Sequence, residues 1–206
     1  MKLVLASNNA KKLAELQQLF DGLQIELVSQ GALGVAEADE PHHTFVENAL
    51  AKARHAARAT GLPAIADDSG LCVDALGGAP GVQSAVFSPM PAADADREAQ
   101  RRAQDAANNA LLLDRMRNTD DRGCRFVSTL VAVRHADDPE PLIAFGRWPA
   151  RLLEAPRGEG GFGYDPLVWI EALGASVAEL TADVKNRHSH RALAAAQMRQ
   201  LIKQSW

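Results

Sequence analysis

The order of apolar and polar segments in this 206-residue chain predicts an α/β fold, a single domain over residues 1–206 with two lobes. Three observations predict it. Short apolar runs typical of buried strands alternate with segments of helical periodicity, β-rich runs follow one another in the second half, and polar or glycine-rich segments stand at the junctions. We therefore expect a mixed central sheet flanked by helices, with a smaller antiparallel β extension.

The first elements alternate strand and helix. Residues 3–6 predict a buried strand, and apolar residues at helical spacing follow from Leu13. Residues 25–28 predict a second strand. Thr44 then opens a helix, because Thr44 and Glu47 form a Thr-x-x-Glu capping box ahead of an apolar face.

The middle of the chain combines a short strand with a long helix. Residues 63–66 predict a third strand that ends before two adjacent acids, and residues 71–73 are expected to continue the strand system. Residues 94–117 carry many alanines and charges, which predicts a long, largely exposed helix. Its inward face is expected to contain Leu111, Leu112 and Met116.

Consecutive strands and one more helix complete the predicted fold. Residues 124–133 are rich in β-branched side chains, and residues 142–145 are expected to pair with them across a turn at residues 137–139. A further β element at residues 150–153 makes this region look like an antiparallel extension. The last helix follows from His190 onward.

The two adjacent acids, Asp67 and Asp68, are the most informative feature of the sequence. They follow an apolar run directly, and the end of a buried strand usually faces the crevice where ligands bind. Carboxylate oxygens there suit Mg²⁺, which usually arrives with phosphates. The alternative is a polar turn, since Asp, Ser69 and Gly70 are ordinary residues for ending a strand.

A polar hexapeptide at the first strand-to-helix junction suggests a site for an anion. Backbone N–H groups at a helix start, Asn side chains and a lysine ammonium suit a cluster of anionic oxygens. The Gly-x-x-x-x-Gly-Lys spacing of a Walker loop is absent. The alternative is a capped helix with a solvated lysine pair. The residues are Ser7, Asn8, Asn9, Ala10, Lys11 and Lys12.

A glycine-rich segment over residues 158–166 surrounds two aromatic side chains, Phe162 and Tyr164. Glycines permit positive φ angles, so a ring can be displayed on a loop, where a flat ligand such as a base could stack on it. The alternative is a tight turn whose aromatics fill the core.

Positive charge concentrates near the amino-terminal end of the last helix, where free N–H groups are also expected. The residues are Lys185, Arg187, His188, His190 and Arg191. A zinc site is not favoured, because a closed site needs four ligands and no further His or Cys stands at suitable spacing. The alternative is a polar helix start at the surface. Lys52, off the apolar stripe of its helix, is either solvated or directed toward the acids.

Composition limits the classes of function. The formal charge of −4 argues against a surface for extended nucleic acid, and no apolar run approaches the roughly 20 residues of a membrane span. Cys72 and Cys124 fit no zinc or redox spacing and are expected to be reduced core residues. These features predict a soluble cytoplasmic protein whose partner is a small molecule, with neither a membrane nor a nucleic acid polymer.

Taken together, these segments resemble the HAM1-like inosine triphosphate pyrophosphatases over nearly the whole chain. Ser7 and Asn8 stand where Thr and Gly are common in that family. The motifs that carry the resemblance are Ser7-x-Asn9-x-x-Lys12, Thr44-Phe45-x-Glu47-Asn48-Ala49, Ala66-Asp67-Asp68-Ser69-Gly70-Leu71, Gly77-Gly78-x-Pro80-Gly81, Gly160-Gly161-Phe162-Gly163-Tyr164-Asp165-Pro166 and Ser189-His190-Arg191.

The resemblance implies Mg²⁺-dependent hydrolysis of deaminated purine nucleoside triphosphates (ITP, dITP and XTP) to the monophosphate and pyrophosphate. It implies that the Ser7–Lys12 segment binds the triphosphate with help from Lys52. Asp68 would be the general base and a Mg²⁺ ligand, with Glu40, or less favourably Asp39, as the second acidic ligand. Asp67 would orient or tune Asp68, and Ser69 would contact the nucleotide.

The resemblance also implies a nucleotide cleft between the two lobes and a homodimer. Phe162 would stack on the purine, while the remaining base-binding residues would read its edges. A purine with an oxygen at position 6 satisfies donors that adenine's amino group would leave unpaired. These residues are Gly163, Tyr164, Asp165, Lys185, His190 and Arg191.

Two other classes of function compete with this reading. A nucleotide-binding sensor without turnover would need no acid in line with the phosphorus, and Asp68 argues against it. An aspartyl phosphatase would need a nucleophile loop of the Asp-x-Asp-x-Thr type, whereas here the acids are adjacent.

Overall fold

The computed structural model describes residues 1–90 and 97–206, which form two compact units. The first unit comprises Met1–Asp68, Ser128–Arg147 and Asn186–Trp206, and the second comprises Ser69–Val127 and Trp148–Lys185. Within the described residues, no helix is both long and apolar enough to cross a membrane.

The secondary structure confirms an α/β fold with a mixed sheet. In the described residues, the sheet has seven strands in the order β2-β1-β3-β4-β5-β6-β7. β1 is parallel to β2 and β3, whereas β6 is antiparallel to β5 and β7, which confirms the antiparallel extension. The strands are β1 (Lys2–Leu5), β2 (Glu26–Ser29), β3 (Ala64–Val73), β4 (Gly123–Val133), β5 (Leu142–Leu152), β6 (Val168–Ile170) and β7 (Ala175–Ser176). The α-helices are α1 (Ala10–Leu19), α2 (Phe45–Thr60), α3 (Arg97–Arg115), α4 (Ala182–His188) and α5 (His190–Ser205).

The first unit buries both faces of its strands. Leu3 and Leu5 pack in a core with residues of α1 and α5, while Val4 and Ala6 pack with alanines of α2. Because successive side chains of a strand point to opposite faces, one continuous apolar run supplies both cores. This is why the run at residues 3–6 predicts a buried strand.

Side-chain caps fix where the helices of the first unit begin. The Glu47 N–H donates to Thr44 Oγ1 over 3.3 Å, and Thr44 Oγ1 donates to Glu47 Oε2 over 2.5 Å, so the predicted start of α2 is confirmed. α2 ends at Gly61, whose φ of 68° is left-handed and favours glycine. Ser189 caps α5 by accepting the Ala192 N–H.

The second unit has its own core. Leu112 of α3 and Met116 just after it are fully buried in this core, as predicted, whereas Leu111 is only partly buried. Cys72 and Cys124 are reduced and buried. Residues 94–96 of the helix predicted over residues 94–117 lie outside the described residues. From Arg97 onward, the predicted helix is confirmed as α3.

Two predicted boundaries are wrong. The strands predicted at residues 142–145 and 150–153 are one strand, β5, because buried and exposed side chains alternate along it without a break. The predicted start of the last helix at His190 is confirmed, since Ser189 caps α5 there, and Lys185 lies in the preceding helix α4.

The second wrong boundary concerns the adjacent acids. β3 does not end before Asp67 but passes through both acids to Val73. Ser69 and Gly70 resemble turn formers, yet the Leu71 N–H donates to Ser84 Oγ, and a side chain at Gly70 would lie 2.4 Å from the Gly81 carbonyl oxygen. Glycine is therefore required here for close packing within a strand.

Candidate functional site

The strand geometry sends the two adjacent acids to opposite faces of the sheet. Ile65 belongs to the core beneath α1 and α5, and Ala66 belongs to the core beneath α2. Because the alternation continues, Asp67 meets Lys12 of α1 while Asp68 meets Lys52 of α2. The two adjacent acids therefore belong to two different charged groups.

Asp67 is fully buried in a network of positive charge. Its Oδ2 lies 2.9 Å from Lys12 Nζ and 3.2 Å from Arg191 Nη2, and its Oδ1 accepts the Ser128 hydroxyl over 2.8 Å. Burial alone would raise the pKa of Asp67, but the charges of Arg191 and Lys12 outweigh it and hold that pKa well below its usual value. Asp67 is thus ionised and acts as a fixed negative charge.

Arg191 bridges two acids from different segments of the first unit. Its Nη1 lies 2.6 Å from Glu15 Oε2, and its side chain is 2% exposed. Burial lowers the pKa of Arg191, but Asp67 and Glu15 outweigh it and raise that pKa above its usual value. Glu15 was not predicted from the sequence, although its position three residues after Lys12 places both on one face of α1.

Asp68 forms a second charged group with Lys52 and Glu40. Lys52 Nζ lies 2.9 Å from Asp68 Oδ1 and 2.8 Å from Glu40 Oε2. Of the two alternatives for Lys52, direction toward the acids is therefore confirmed and a solvated position is wrong. Burial would lower the pKa of Lys52, but the two carboxylates outweigh it and raise that pKa.

The two acids of this group have different proton affinities. Burial and, to a lesser extent, the charge of Glu40 raise the pKa of Asp68, Lys52 opposes them, and the net result is a pKa of about 6. Burial also raises the pKa of Glu40, but Lys52 outweighs it, so the pKa of Glu40 is lowered. Asp68 is therefore the group poised to take a proton near neutral pH.

The Asp68–Glu40 pair fits a hard divalent cation. Asp68 Oδ2 is buried without a hydrogen-bond partner among the described residues, and the Glu40 carboxylate shares the Lys52 ammonium with Asp68. Residues 1–90 and 97–206 contain no group of three or more His, Cys, Asp or Glu suited to a metal. Mg²⁺ commonly takes one or two carboxylates and completes its coordination with water and substrate phosphates, so two acids suffice.

The polar hexapeptide forms the N-terminus of α1. Asn9 is the N-cap, and its Oδ1 accepts the N–H groups of Lys11 and Lys12 over 3.0 and 3.2 Å. The Ser7 hydroxyl accepts the Asn9 N–H. The capped-helix alternative is thus confirmed as local structure, while phosphate binding by this segment stays a prediction. Asn8 Oδ1 is buried without a hydrogen-bond partner in the described parts of the chain.

The glycine-rich loop of the second unit places Phe162 beside Lys185. Lys185 Nζ lies 4.6 Å from the centroid of the Phe162 ring and 2.8 Å from Asp165 Oδ2. Asp165 Oδ2 also accepts the Phe162 N–H. Phe162 is half-buried and Asp165 is buried. The aromatic ring and the ammonium group therefore share one carboxylate as their anchor.

Tyr164 departs from the expectation that the glycines display its ring on the loop. It is buried in the core of the second unit, and its hydroxyl donates to the Ser84 carbonyl over 2.9 Å. Burial raises the pKa of Tyr164. His190 is likewise buried, in the first turn of α5. The alternative that the aromatics fill the core is thus confirmed for Tyr164.

We predict that replacing Asp68 by Asn alters stability in a pH-dependent way in metal-free protein. The folded-state pKa of Asp68 is raised from 3.8 to about 6, so between these values the folded chain keeps a proton that the unfolded chain has lost. Lowering the pH therefore stabilises the wild type, by about 1 kcal/mol between pH 7.5 and pH 5. Urea unfolding in EDTA should show the wild type gaining this amount relative to Asp68→Asn. An equal response of both proteins would contradict the raised pKa.

Comparison with known proteins shows full-length similarity. The model of the Ham1 family matches residues 3–201. The dITP/XTP pyrophosphatase of Methylibium petroleiphilum is 69% identical over 206 residues, covering 100% of this chain and 99% of that protein. The dITP/XTP pyrophosphatase of Leptothrix cholodnii is 66% identical with the same coverage. A HAM1 protein from Coxiella burnetii is similar in structure, with a TM-score of 0.89 and 38% identity over 100% of both chains.

Proposed function

The chain belongs to the Ham1 family, and from this premise we propose how it acts on nucleotides. It is a hydrolase that converts deaminated purine nucleoside triphosphates (ITP, dITP and XTP) to the monophosphate and pyrophosphate. The observation that carries the mechanism is the buried group of Asp68, Lys52 and Glu40, in which one carboxyl has a pKa of about 6 beside a fixed ammonium.

Asp68 is the general base of the proposed mechanism. Its carboxylate takes a proton from the attacking water, and Lys52 holds it in place through Oδ1. Asp68 and Glu40 would hold Mg²⁺, which, when bound, neutralises charge on the phosphate oxygens. Phosphoryl transfer depends on positioning and charge stabilisation more than on covalent participation, and this group of residues suits that requirement.

The triphosphate is proposed to bind at the N-terminus of α1. Lys12 and Lys52 neutralise its oxygens, and Ser7, Asn8, Asn9, Ala10 and Lys11 supply donors around it. Asp67 sets the resting position of Lys12 through their 2.9 Å ion pair. Ser69, the next residue of β3 after Asp68, is proposed to contact the nucleotide.

The purine is proposed to stack on Phe162. Its edges would be read from the glycine-rich loop and from Lys185, His190 and Arg191, with the purine's 6-oxygen as the recognised acceptor. The 4.6 Å contact between Lys185 Nζ and the Phe162 ring supports a preorganised surface for a flat base. We further propose that the protein is a homodimer and works in the cytoplasm.

The nucleotide panel that tests this function compares ITP with ATP. Adenine presents a donor where hypoxanthine presents an acceptor, so a buried donor of the site is left unpaired at a cost of roughly 1–3 kcal/mol. We expect kcat/KM for ITP to exceed that for ATP by about 10- to 100-fold or more. Released pyrophosphate measures both rates in the presence of Mg²⁺. Equal values for the two substrates would contradict the proposed recognition.

A further inference from the structure

Helix α3 contacts the glycine-rich loop through two side chains one turn apart. Asp105 Oδ2 accepts the Gly163 N–H over 2.9 Å, and Asn109 Nδ2 donates to the Gly163 carbonyl over 3.0 Å. Because residues i and i+4 of a helix lie on one face, one side of α3 holds both polar groups of a single residue. That residue lies between Phe162 and Tyr164, and all of these residues belong to the second unit.

The other backbone groups next to Gly163 are held within the loop. The Phe162 N–H donates to Asp165 Oδ2 over 3.0 Å, and the Phe162 carbonyl accepts the Asp165 N–H over 3.2 Å. Gly163 itself has a φ of 61°, a left-handed conformation that favours glycine. Asp165 therefore hydrogen-bonds to both backbone groups of Phe162 from within the loop, whereas the backbone groups of Gly163 are hydrogen-bonded to side chains of α3.

The same helix anchors the residue on the other side of Gly163. Asn108 Nδ2 donates to the Ser84 carbonyl over 3.2 Å, and that carbonyl also accepts the Tyr164 hydroxyl. Tyr164 and α3 therefore bind the same carbonyl group, that of Ser84. Of Phe162 and Tyr164, only Phe162 is left partly exposed by this arrangement.

We propose that Asp105 and Asn109 are positioning residues for the substrate, holding the Gly163 backbone so that the Phe162 ring is preset to stack on the purine. This inference rests on the proposed function, since it needs a base on Phe162. Fixing the loop before binding reduces the ordering cost that the nucleotide would otherwise meet. Loss of either contact should therefore weaken binding of the base without altering the chemistry at Asp68.

The side chain of Asn109 provides a way to separate positioning from stability. Its Oδ1 is buried without a hydrogen-bond partner among the described residues, and an unpaired buried acceptor disfavours folding. Asn109→Leu keeps a similar volume and removes both this acceptor and the donor to Gly163. A purely structural residue would change the melting temperature and leave KM alone, whereas a positioning residue would change KM.

The experiment compares Asn109→Leu, Asp105→Leu and Asp105→Asn, the last of which retains an acceptor oxygen for the Gly163 N–H. Arg102→Leu is the matched control, since Arg102 is an exposed residue of the same helix. For each protein, kcat and KM are measured with ITP and Mg²⁺. Dissociation constants for inosine monophosphate and for inorganic pyrophosphate are measured by calorimetry, and the melting temperature is recorded.

We expect both Leu variants to raise KM for ITP and the dissociation constant for inosine monophosphate by about five- to tenfold, the equivalent of one lost hydrogen bond. kcat and the affinity for pyrophosphate should change less than about twofold, because a change that small is less than the loss of one hydrogen bond would cause. Asp105→Asn and Arg102→Leu should resemble the wild type.

Unchanged KM and unchanged inosine monophosphate affinity in the Leu variants would overturn the proposal, as would an equal loss of pyrophosphate affinity. If one Leu variant does not fold, the other decides between these results. A wild type that binds inosine monophosphate but does not cleave ITP would refute the proposed function alone, and the calorimetric comparison would still test the positioning. A wild type that does neither would overturn both.

Discussion

Asp68→Asn is expected to abolish hydrolysis of ITP while nucleotide binding persists. Asn cannot accept the proton of the attacking water, and general-base catalysis commonly contributes about 10²- to 10⁴-fold, so kcat should fall by about 10³-fold. The amide keeps an oxygen at the position that Lys52 contacts 2.9 Å away. The buried group should therefore retain its shape while losing its base.

Pyrophosphate release under saturating ITP gives kcat, and calorimetry gives the dissociation constant in Mg²⁺. Asp137→Asn serves as the control for removing one carboxylate from the first unit, because the Asp137 side chain is 89% exposed. It should keep wild-type kcat. Full activity in Asp68→Asn would exclude this residue as the base and would reopen the choice among the other acids.

Asp67 and Asp68 point to opposite faces of the sheet, and only Asp68 is in a position suited to a general base. Asp67 has a lowered pKa and is held by Arg191 and Lys12, so it is a poor proton acceptor. Asp68 has a raised pKa and an oxygen without a hydrogen-bond partner among the described residues. Two chemically identical neighbours thus differ in proton affinity because a strand turns them toward different helices.

Local signals in the sequence were sufficient for much of the fold. The capping box of Thr44 and Glu47 correctly predicted the start of α2, and the apolar run at residues 3–6 correctly predicted a strand. Both signals depend only on residues within four positions of one another in the sequence. The wrong boundary at Asp67 arose because Ser69 and Gly70 favour turns locally, whereas burial on both sides keeps them in β3.

The charged partners of the site were harder to predict, because they come from distant parts of the chain. Arg191 lies 124 residues from Asp67 and 176 residues from Glu15 in sequence. No periodicity or spacing rule relates such positions, so the sequence indicated positive charge near the amino-terminal end of α5 but not the acids that it meets. Contacts within one segment are easier to predict, and the hydrogen bond from the Phe162 N–H to Asp165 spans only three residues.

Arg191→Leu is expected to lower the free energy of unfolding by about 3–5 kcal/mol, the usual cost of removing one partner from a buried ion pair. The side chain of Asp67 is fully buried, and the substitution removes a cation 3.2 Å from its Oδ2 while the contacts with Lys12 and Ser128 stay. Glu15 loses its 2.6 Å contact as well. Urea unfolding of both proteins in EDTA measures the difference.

The matched control for this loss is Arg187→Leu, which removes an exposed arginine a few residues earlier and should cost less than about 1 kcal/mol. Arg191→Lys keeps one charge but lacks the fork that reaches two acids, so its stability should fall between the two. Combining Arg191→Leu with Asp67→Asn should restore part of the loss, because the buried negative charge that Arg191 neutralises is then also removed. If Arg191→Leu instead unfolds like the control and loses only its preference for ITP over ATP, recognition of the purine edge, and not the pairing with Asp67 and Glu15, is the main role of this arginine.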